Sequence, residues 1–197
     1  MNRPLLGIVS RFAWQKGFDL LAEAGPELFG KDVYLAALGS GEPAIEAIFR
    51  DLQARFPDQV AVQFGYDEAL AHQIEAGADI FLMPSRYEPC GLNQIYSLRY
   101  GTVPVVRATG GLEDTITDSP PEQATGFKFH AYNGIALREA VEEAGRLFAD
   151  AKAWTAMMKR GMRKEFSWTA SAGEYSRLYS MVLEPAVNPE HGQTTLT

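Results

Sequence analysis

The stretch "IFLMPSRYEPCGLNQIYSLRYGTVPVV", residues 80–106, decides the fold class. It opens on an apolar run, Ile80–Met83, and closes on another, Val103–Val106, with a helical pattern over Leu92–Tyr100 between them. Short aliphatic and β-branched runs read as strands, and two strands joined through a helix are expected to lie parallel. The turn leaving the first strand is chemically unusual. It places Glu88, Pro89, the single cysteine Cys90, and Gly91 just ahead of the helix.

The same alternation extends in both directions. Strands are expected at Leu5–Val9, Val33–Leu38, Val60–Phe64 and Gly126–Phe129, and helices at Phe18–Phe29, Glu42–Arg55 and Glu68–Ala76. Strands that are apolar along nearly their whole length are buried on both faces, so the pattern predicts an α/β domain built on a doubly wound parallel sheet. Ligands of such a domain bind at the carboxyl ends of the strands. From Asn133 onward the periodicity is purely helical, over Ile135–Phe148, Ala151–Phe166 and Thr169–Leu183. A domain over 1–184 is expected, with a surface loop at Ser119-Pro120-Pro121-Glu122. The tail 185–197, polar and holding Pro185 and Pro189, is expected to be disordered.

Composition narrows the function classes. The 197 residues are 46% hydrophobic and 22% charged, with no apolar run long enough to span a bilayer. The chain starts Met1-Asn2-Arg3-Pro4 and enters a strand without a signal-like segment, which predicts a cytoplasmic protein, or one of the plastid stroma if the source is a plant. One cysteine and the scattered His72, His130 and His191 give no metal-site spacing, so neither metal nor other cofactor is expected. A net charge of −7 without a basic block excludes nonspecific binding to nucleic acid or anionic membrane. An anionic ligand must therefore be met by a local cluster.

Four strand-to-helix turns carry candidate chemistry. Ser10-Arg11-Phe12-Ala13-Trp14-Gln15-Lys16-Gly17 follows the first strand with two cations, which suits a diphosphate; a solvated loop is the plain alternative. Gly39-Ser40-Gly41-Glu42 lets backbone approach a ligand at a helix start, or simply satisfies the turn. Gly65-Tyr66-Asp67-Glu68 offers an aromatic that either stacks on a base or packs. At the opening stretch an anion is expected behind Gly91, at the helix start, whereas Glu88 would repel it. Glu88 suits sugar hydroxyls or a cationic centre, or else complements the helix dipole. Cys90 reads as a small buried residue in preference to a reactive thiol. Shared topology brings these turns to one crevice.

Taken in order, "SRFAWQKGFDLL", "LGSGEP", "FGYDEALAHQIEAGADIFLMPSRYEPCGLNQIYSLRYGTVPVVRATGGLEDTI" and "TGFKF" resemble the carboxyl-terminal half of bacterial glycogen synthases and plant starch synthases, over about residues 5–183. The resemblance implies a Rossmann-like carboxyl-terminal domain of a GT-B fold, with extra carboxyl-terminal helices. The activity it implies is retaining transfer of glucose from ADP-glucose to the nonreducing end of an α-1,4-glucan. By motif, Arg11 and Lys16 are implied to bind the diphosphate and stabilise its departure, doing what a divalent metal does elsewhere. Glu88 is implied at the donor glucose, Cys90, Gly91 and Leu92 at sugar and phosphate, and Tyr66 at the adenine. Gly39 and Gly41 are implied on the nucleotide side, and Thr109, Gly110 and Gly111 beside the phosphates. Tyr96 stands eight positions after Glu88, where many retaining GT-B enzymes carry a second glutamate, and this agrees with the glycogen and starch synthase branch.

The resemblance also implies an amino-terminal domain that is not in the chain and that supplies most of the glucan acceptor site. Alone, the chain is expected to bind ADP or ADP-glucose while transferring little or no glucose. Phe166, Trp168, Tyr175 and Tyr179 either face that domain or pack on their own; left uncovered, they favour self-association. Three rivals stay open: another retaining GT-B transferase using a UDP-sugar, a noncatalytic nucleotide- or glucan-binding module, and a nicotinamide-dependent dehydrogenase. The last is disfavoured, because no G-x-G-x-x-G follows the first strand of this sequence.

Overall fold

The computed structural model describes residues 3–30 and 33–183. Among the described residues there are six strands, β1 (Leu5–Val9), β2 (Tyr34–Gly39), β3 (Val60–Phe64), β4 (Ile80–Met83), β5 (Val103–Arg107) and β6 (Phe127–Phe129). All pair in parallel in the order β3-β2-β1-β4-β5-β6. The order reverses direction between β1 and β4. That is where a doubly wound sheet opens a crevice outside its strand ends.

The central strands owe their place to their composition. Leu6, Ile8, Ile80, Phe81, Leu82, Val103, Val105 and Val106 are all at most 1% exposed, as expected of strands covered on both faces. Edge strand β3 shows a mixed pattern, with Ala61 and Gln63 exposed. The first helices are α1 (Leu20–Leu28), α2 (Pro43–Arg55) and α3 (Glu68–Gly77), followed by α4 (Asn93–Tyr100) and α5 (Gly110–Thr115). Then come α6 (Gly134–Phe148), α7 (Ala151–Met162) and α8 (Trp168–Leu183). Helix α1 packs on α2 and α6, while α4 packs on α3 and α7, so the sheet is flanked by helices. Among the described residues four helix starts are fixed by side-chain caps, from Asp67 to the Leu70 N–H, Asn133 to that of Ala136, Asp150 to those of Lys152 and Ala153, and Ser167 to that of Ala170.

The strands and long helices lie where the periodicity put them, with differences at the ends. Helix α1 starts after Asp19, because Phe18 is taken into the core and the Asp19 carboxylate is engaged elsewhere. Helix α7 stops at Met162, short of Phe166, because bonds from the Arg163 and Lys164 N–H groups to the carbonyls of Arg160 and Gly161 tighten its last turn. The short α5 and a single 3-10 turn at Trp14–Lys16 were not legible. Six and three residues are too few to show a period.

The chain divides into two compact units, residues 1–164 and 165–197. The first holds the sheet. Within the second, α8 carries Trp168, Tyr175 and Tyr179 at 87%, 58% and 62% exposure. The tail 185–197 lies outside the described residues. Among the described residues no helix is long and apolar enough to cross a membrane.

Candidate functional site

The loop from Ser10 to Gly17 is held by two phenylalanines, Phe12 next to Arg11 and Phe18 just beyond Lys16 and Gly17. Phe12 and Phe18 are 0% and 2% exposed, and both meet Phe49 of α2, Phe12 stacked at 4.1 Å between centroids and Phe18 edge-on at 5.4 Å. Burying each ring contributes roughly 1.5–3 kcal/mol, with about 0.5–1.5 kcal/mol more for a well-placed pair. The backbone of Phe12 also bonds to Ser40 and Glu42, at 2.9 and 2.7 Å. This approach explains Gly39 and Gly41. A Cβ on Gly39 would sit 2.0 Å from the Ser10 carbonyl oxygen, and one on Gly41 would sit 2.4 Å from that of Phe12.

With its flanks anchored, the loop presents Arg11 and Lys16 above the carboxyl end of β1. Arg11 is exposed and, among the described residues, its side chain has no hydrogen-bond or ion-pair partner. Lys16 reaches across to the turn after β4, its Nζ lying 2.5 Å from Glu88 Oε2. Glu88 is 6% exposed, and the same oxygen accepts from Ser85 Oγ at 3.3 Å. No hydrogen bond reaches its Oε1 among the described residues. A half-committed carboxylate thus lies beside a half-buried ammonium.

Together these residues line a crevice of about 370 Å³ that includes Val9, Arg11, Lys16, Met83, Glu88 and Asn93. Gly91 and Leu92 also belong to its wall. A second hollow of about 260 Å³ continues along the strand ends past Gly39, Gly65, Tyr66 and Asp67. Arg11 and Asn93 line both, so the two hollows adjoin. Tyr66 is 89% exposed, leaving its ring face open.

Not every expected residue lines this space. Gly41, Cys90, Thr109, Gly110 and Gly111 are absent from both walls. Cys90 is exposed, and its Sγ lies 3.5 Å from the Gly91 carbonyl oxygen, so the buried reading of this residue is corrected: the turn carries it on its outer side. Gly111 N–H donates to the Glu88 carbonyl at 2.9 Å, tying the α5 turn to the backbone of the carboxylate. Thr109 is the N-cap residue of α5, and Gly110 begins that helix.

Sequence reasoning missed residues that build the site from behind. Asn93 lines both hollows and donates from Nδ2 to the Val9 carbonyl at 2.6 Å. Gln94, fully buried, donates to the carbonyls of Cys90 and Gly91 at 2.9 and 3.0 Å and so shapes the turn. Both come just after Leu92 in "CGLNQ", where two amides in a first helical turn were the available signal. Arg107 donates to the carbonyls of Ser85 and Arg86 at 3.3 and 2.7 Å. Tyr132 bonds Asp19, 113 positions away, at 2.6 Å. Burial first, then that bond to Asp19, pushes the Tyr132 phenol well above its ordinary range, so it stays a donor. No local pattern announces a contact of that separation.

A larger cavity, about 850 Å³, lies beside edge strand β6. Of its cations, Lys128 bonds Glu113 at 2.7 Å and Arg160 bonds the Ala124 and Pro121 carbonyls at 2.7 and 3.2 Å. Arg146, the third cation on that wall, has no side-chain partner among the described residues, and neither has Arg11, so the stronger claim of the smaller crevice rests on its place at the topological switch.

Known proteins share this sequence pattern and fold. The glycogen synthase of Koribacter versatilis (strain Ellin345) is 54% identical over 178 residues, covering 89% of this chain and 37% of that protein. That of Anaeromyxobacter dehalogenans (strain 2CP-C) is 54% identical over 179 residues, 90% of this chain and 38% of that protein. Among solved structures, the catalytic domain of starch synthase IV from Arabidopsis thaliana bound to ADP and acarbose superposes with a TM-score of 0.81 at 36% identity. It is covered over 91% of this chain and 38% of that one. The chain therefore spans a little over a third of the length of these relatives. Residues 1–155 match the family described as glycosyl transferases group 1, and the chain belongs to that family.

Proposed function

We propose that the chain is the donor-binding half of a glycogen or starch synthase, holding ADP-glucose for retaining transfer of glucose to the nonreducing end of an α-1,4-glucan. The observation that carries this reading is the convergence of Arg11, Lys16 and Glu88 in one crevice outside the carboxyl ends of β1 and β4. Similarity to glycogen synthases and to a starch synthase bound to ADP supports the choice of donor.

In this reading the diphosphate lies against Arg11 and Lys16, and the adenosine extends toward Gly39 and Tyr66. Transfer breaks the bond from glucose C1 to the phosphate oxygen, the electron pair leaving with the diphosphate. The cations offset that charge as it develops. A hydroxyl oxygen of the glucan end forms the new bond to C1 and passes its proton to the diphosphate oxygen that C1 has released. Glu88 addresses the sugar, where its carboxylate orients hydroxyls and opposes the positive charge that grows at C1. Cys90, Gly91 and Leu92 hold the turn at the sugar, and Thr109, Gly110 and Gly111 support it from α5. Acceptor binding belongs to the rest of a longer enzyme, so the isolated chain binds nucleotide and transfers little. We include one domain over 1–184 in this reading, acting in the cytoplasm or plastid stroma. The exposed Trp168, Tyr175 and Tyr179 on α8 drive association of the isolated chain with itself, which sedimentation reads directly.

Calorimetric titration with ADP, UDP and their glucose conjugates tests the proposal. Saturable binding with ADP and ADP-glucose preferred supports it. A clear preference for the uridine ligands, or no binding of any, overturns the donor assignment.

A further inference from the structure

Arg86 lies outside the crevice wall and yet joins the two loops that carry Lys16 and Glu88. Its Nη2 donates to Asp19 Oδ2 at 2.8 Å. Its guanidinium carbon sits 4.2 Å from the ring centroid of Trp14 and 4.1 Å from that of Tyr132. The Tyr132 hydroxyl donates to the other Asp19 oxygen at 2.6 Å. Arg86 N–H donates to the Gln15 carbonyl at 2.9 Å, and Gln15 Nε2 returns a bond to the Tyr87 carbonyl at 3.0 Å. The loop after β1 and the loop after β4 are thereby fastened on either side of Lys16 and Glu88. Gly17 closes the same seam: at φ 73° it lies so near Pro84 that a Cβ would be 2.0 Å from that carbonyl oxygen.

We infer that Arg86 is the positioning residue of the diphosphate site, holding Lys16 in register with Glu88 through its clasp on Trp14, Asp19 and Tyr132. This rests on the nucleotide reading above. The physical argument is one of freedom lost before binding. Lys16 carries a flexible side chain on a 3-10 turn, Trp14–Lys16, that has no buried residue of its own. A guanidinium held between two aromatic faces and a carboxylate is among the more rigid arrangements that side chains offer. It fixes the turn's Trp14 end, while the backbone bond to Gln15 fixes the residue next to Lys16. An ammonium already placed spends less of its interaction on ordering itself when the phosphate arrives.

The test measures Kd for ADP and AMP in the unaltered chain and in Arg86→Met, Lys16→Met and the double variant, with melting curves alongside. Arg86→Met is expected to weaken ADP about fivefold and Lys16→Met about tenfold, with the double variant no weaker than Lys16→Met. AMP, lacking the terminal phosphate, is expected to lose little in any of them. Losses that multiply in the double variant, equal losses for ADP and AMP, or an unchanged ADP affinity in Arg86→Met each overturn the inference. Should Arg86→Met not fold, Tyr132→Phe keeps the ring and removes only the bond to Asp19. It is then expected to weaken ADP about twofold in the unaltered background and not at all beside Lys16→Met. A multiplying loss there overturns the inference equally. Failure of the unaltered chain to bind either nucleotide instead overturns the reading on which the inference stands.

Discussion

Replacing Lys16 by methionine separates what the Lys16–Glu88 pair does for folding from what Lys16 does for a ligand. The two groups lie 2.5 Å apart, with side chains 18% and 8% exposed. Breaking a fully buried pair costs about 3–5 kcal/mol and an exposed one about 0–1 kcal/mol, so an intermediate pair costs about 2 kcal/mol. For a chain of this size that lowers Tm by roughly 4–8 °C. Most of the loss comes from leaving Glu88 without its cation. Lys16→Met/Glu88→Gln is therefore expected to recover much of the melting temperature. Binding behaves differently. A charge-assisted hydrogen bond contributes about 1.5–3 kcal/mol, but a phosphate must share Lys16 with Glu88, so the lower end applies and ADP weakens about tenfold. The double variant recovers stability without recovering that affinity. Calorimetry for ADP together with differential scanning for Tm reads both. Restored ADP affinity in the double variant, or an unchanged affinity in Lys16→Met, would refute the assignment of Lys16 to the ligand.

Other perturbations follow from the same geometry. Tyr66→Ala, at a residue 89% exposed, should leave Tm within about 1 °C and weaken ADP about tenfold if the ring carries the base. Gly17→Ala forces a side chain into a left-handed φ of 73° and against the Pro84 carbonyl, so it should destabilise by roughly 3 kcal/mol or more in urea unfolding. Buried Glu75 has its carboxyl pushed above the ordinary range by desolvation, with His72 partly opposing. Its folded form then holds the proton more tightly than the unfolded one, and stability drains as pH rises from the ordinary carboxylate range through the raised value. Glu75→Gln is accordingly expected to raise Tm by about 2 °C at pH 7 and to leave it unchanged near pH 4. A gain that grows toward acid would contradict that sign.

The sheet was legible because parallel strands covered on both faces must be apolar along their length. Leu5–Val9, Ile80–Met83 and Val103–Val106 announce themselves that way without any neighbour being known. The charged half of the site was legible for a related reason. Arg11, Lys16 and Glu88 sit in turns at strand ends, where the topology converges. What stayed hidden is the scaffold behind them. The contacts of Arg86 with Asp19 and of Tyr132 with Asp19 join segments 67 and 113 positions apart, and periodicity carries no information at that range. The role of Gly39 and Gly41 was also divided by the sequence between ligand and turn. In the fold both admit the Ser10–Phe12 backbone, a requirement that holds with or without a ligand.

The central claim is that the crevice between the β1 and β4 strand ends holds a nucleoside diphosphate. A crystal structure of the chain soaked with ADP tests it most directly. The account predicts the diphosphate within hydrogen-bond distance of Arg11 and Lys16, with the adenine toward Gly39 and Tyr66. ADP seated instead in the larger cavity beside β6, with the crevice empty, would contradict it.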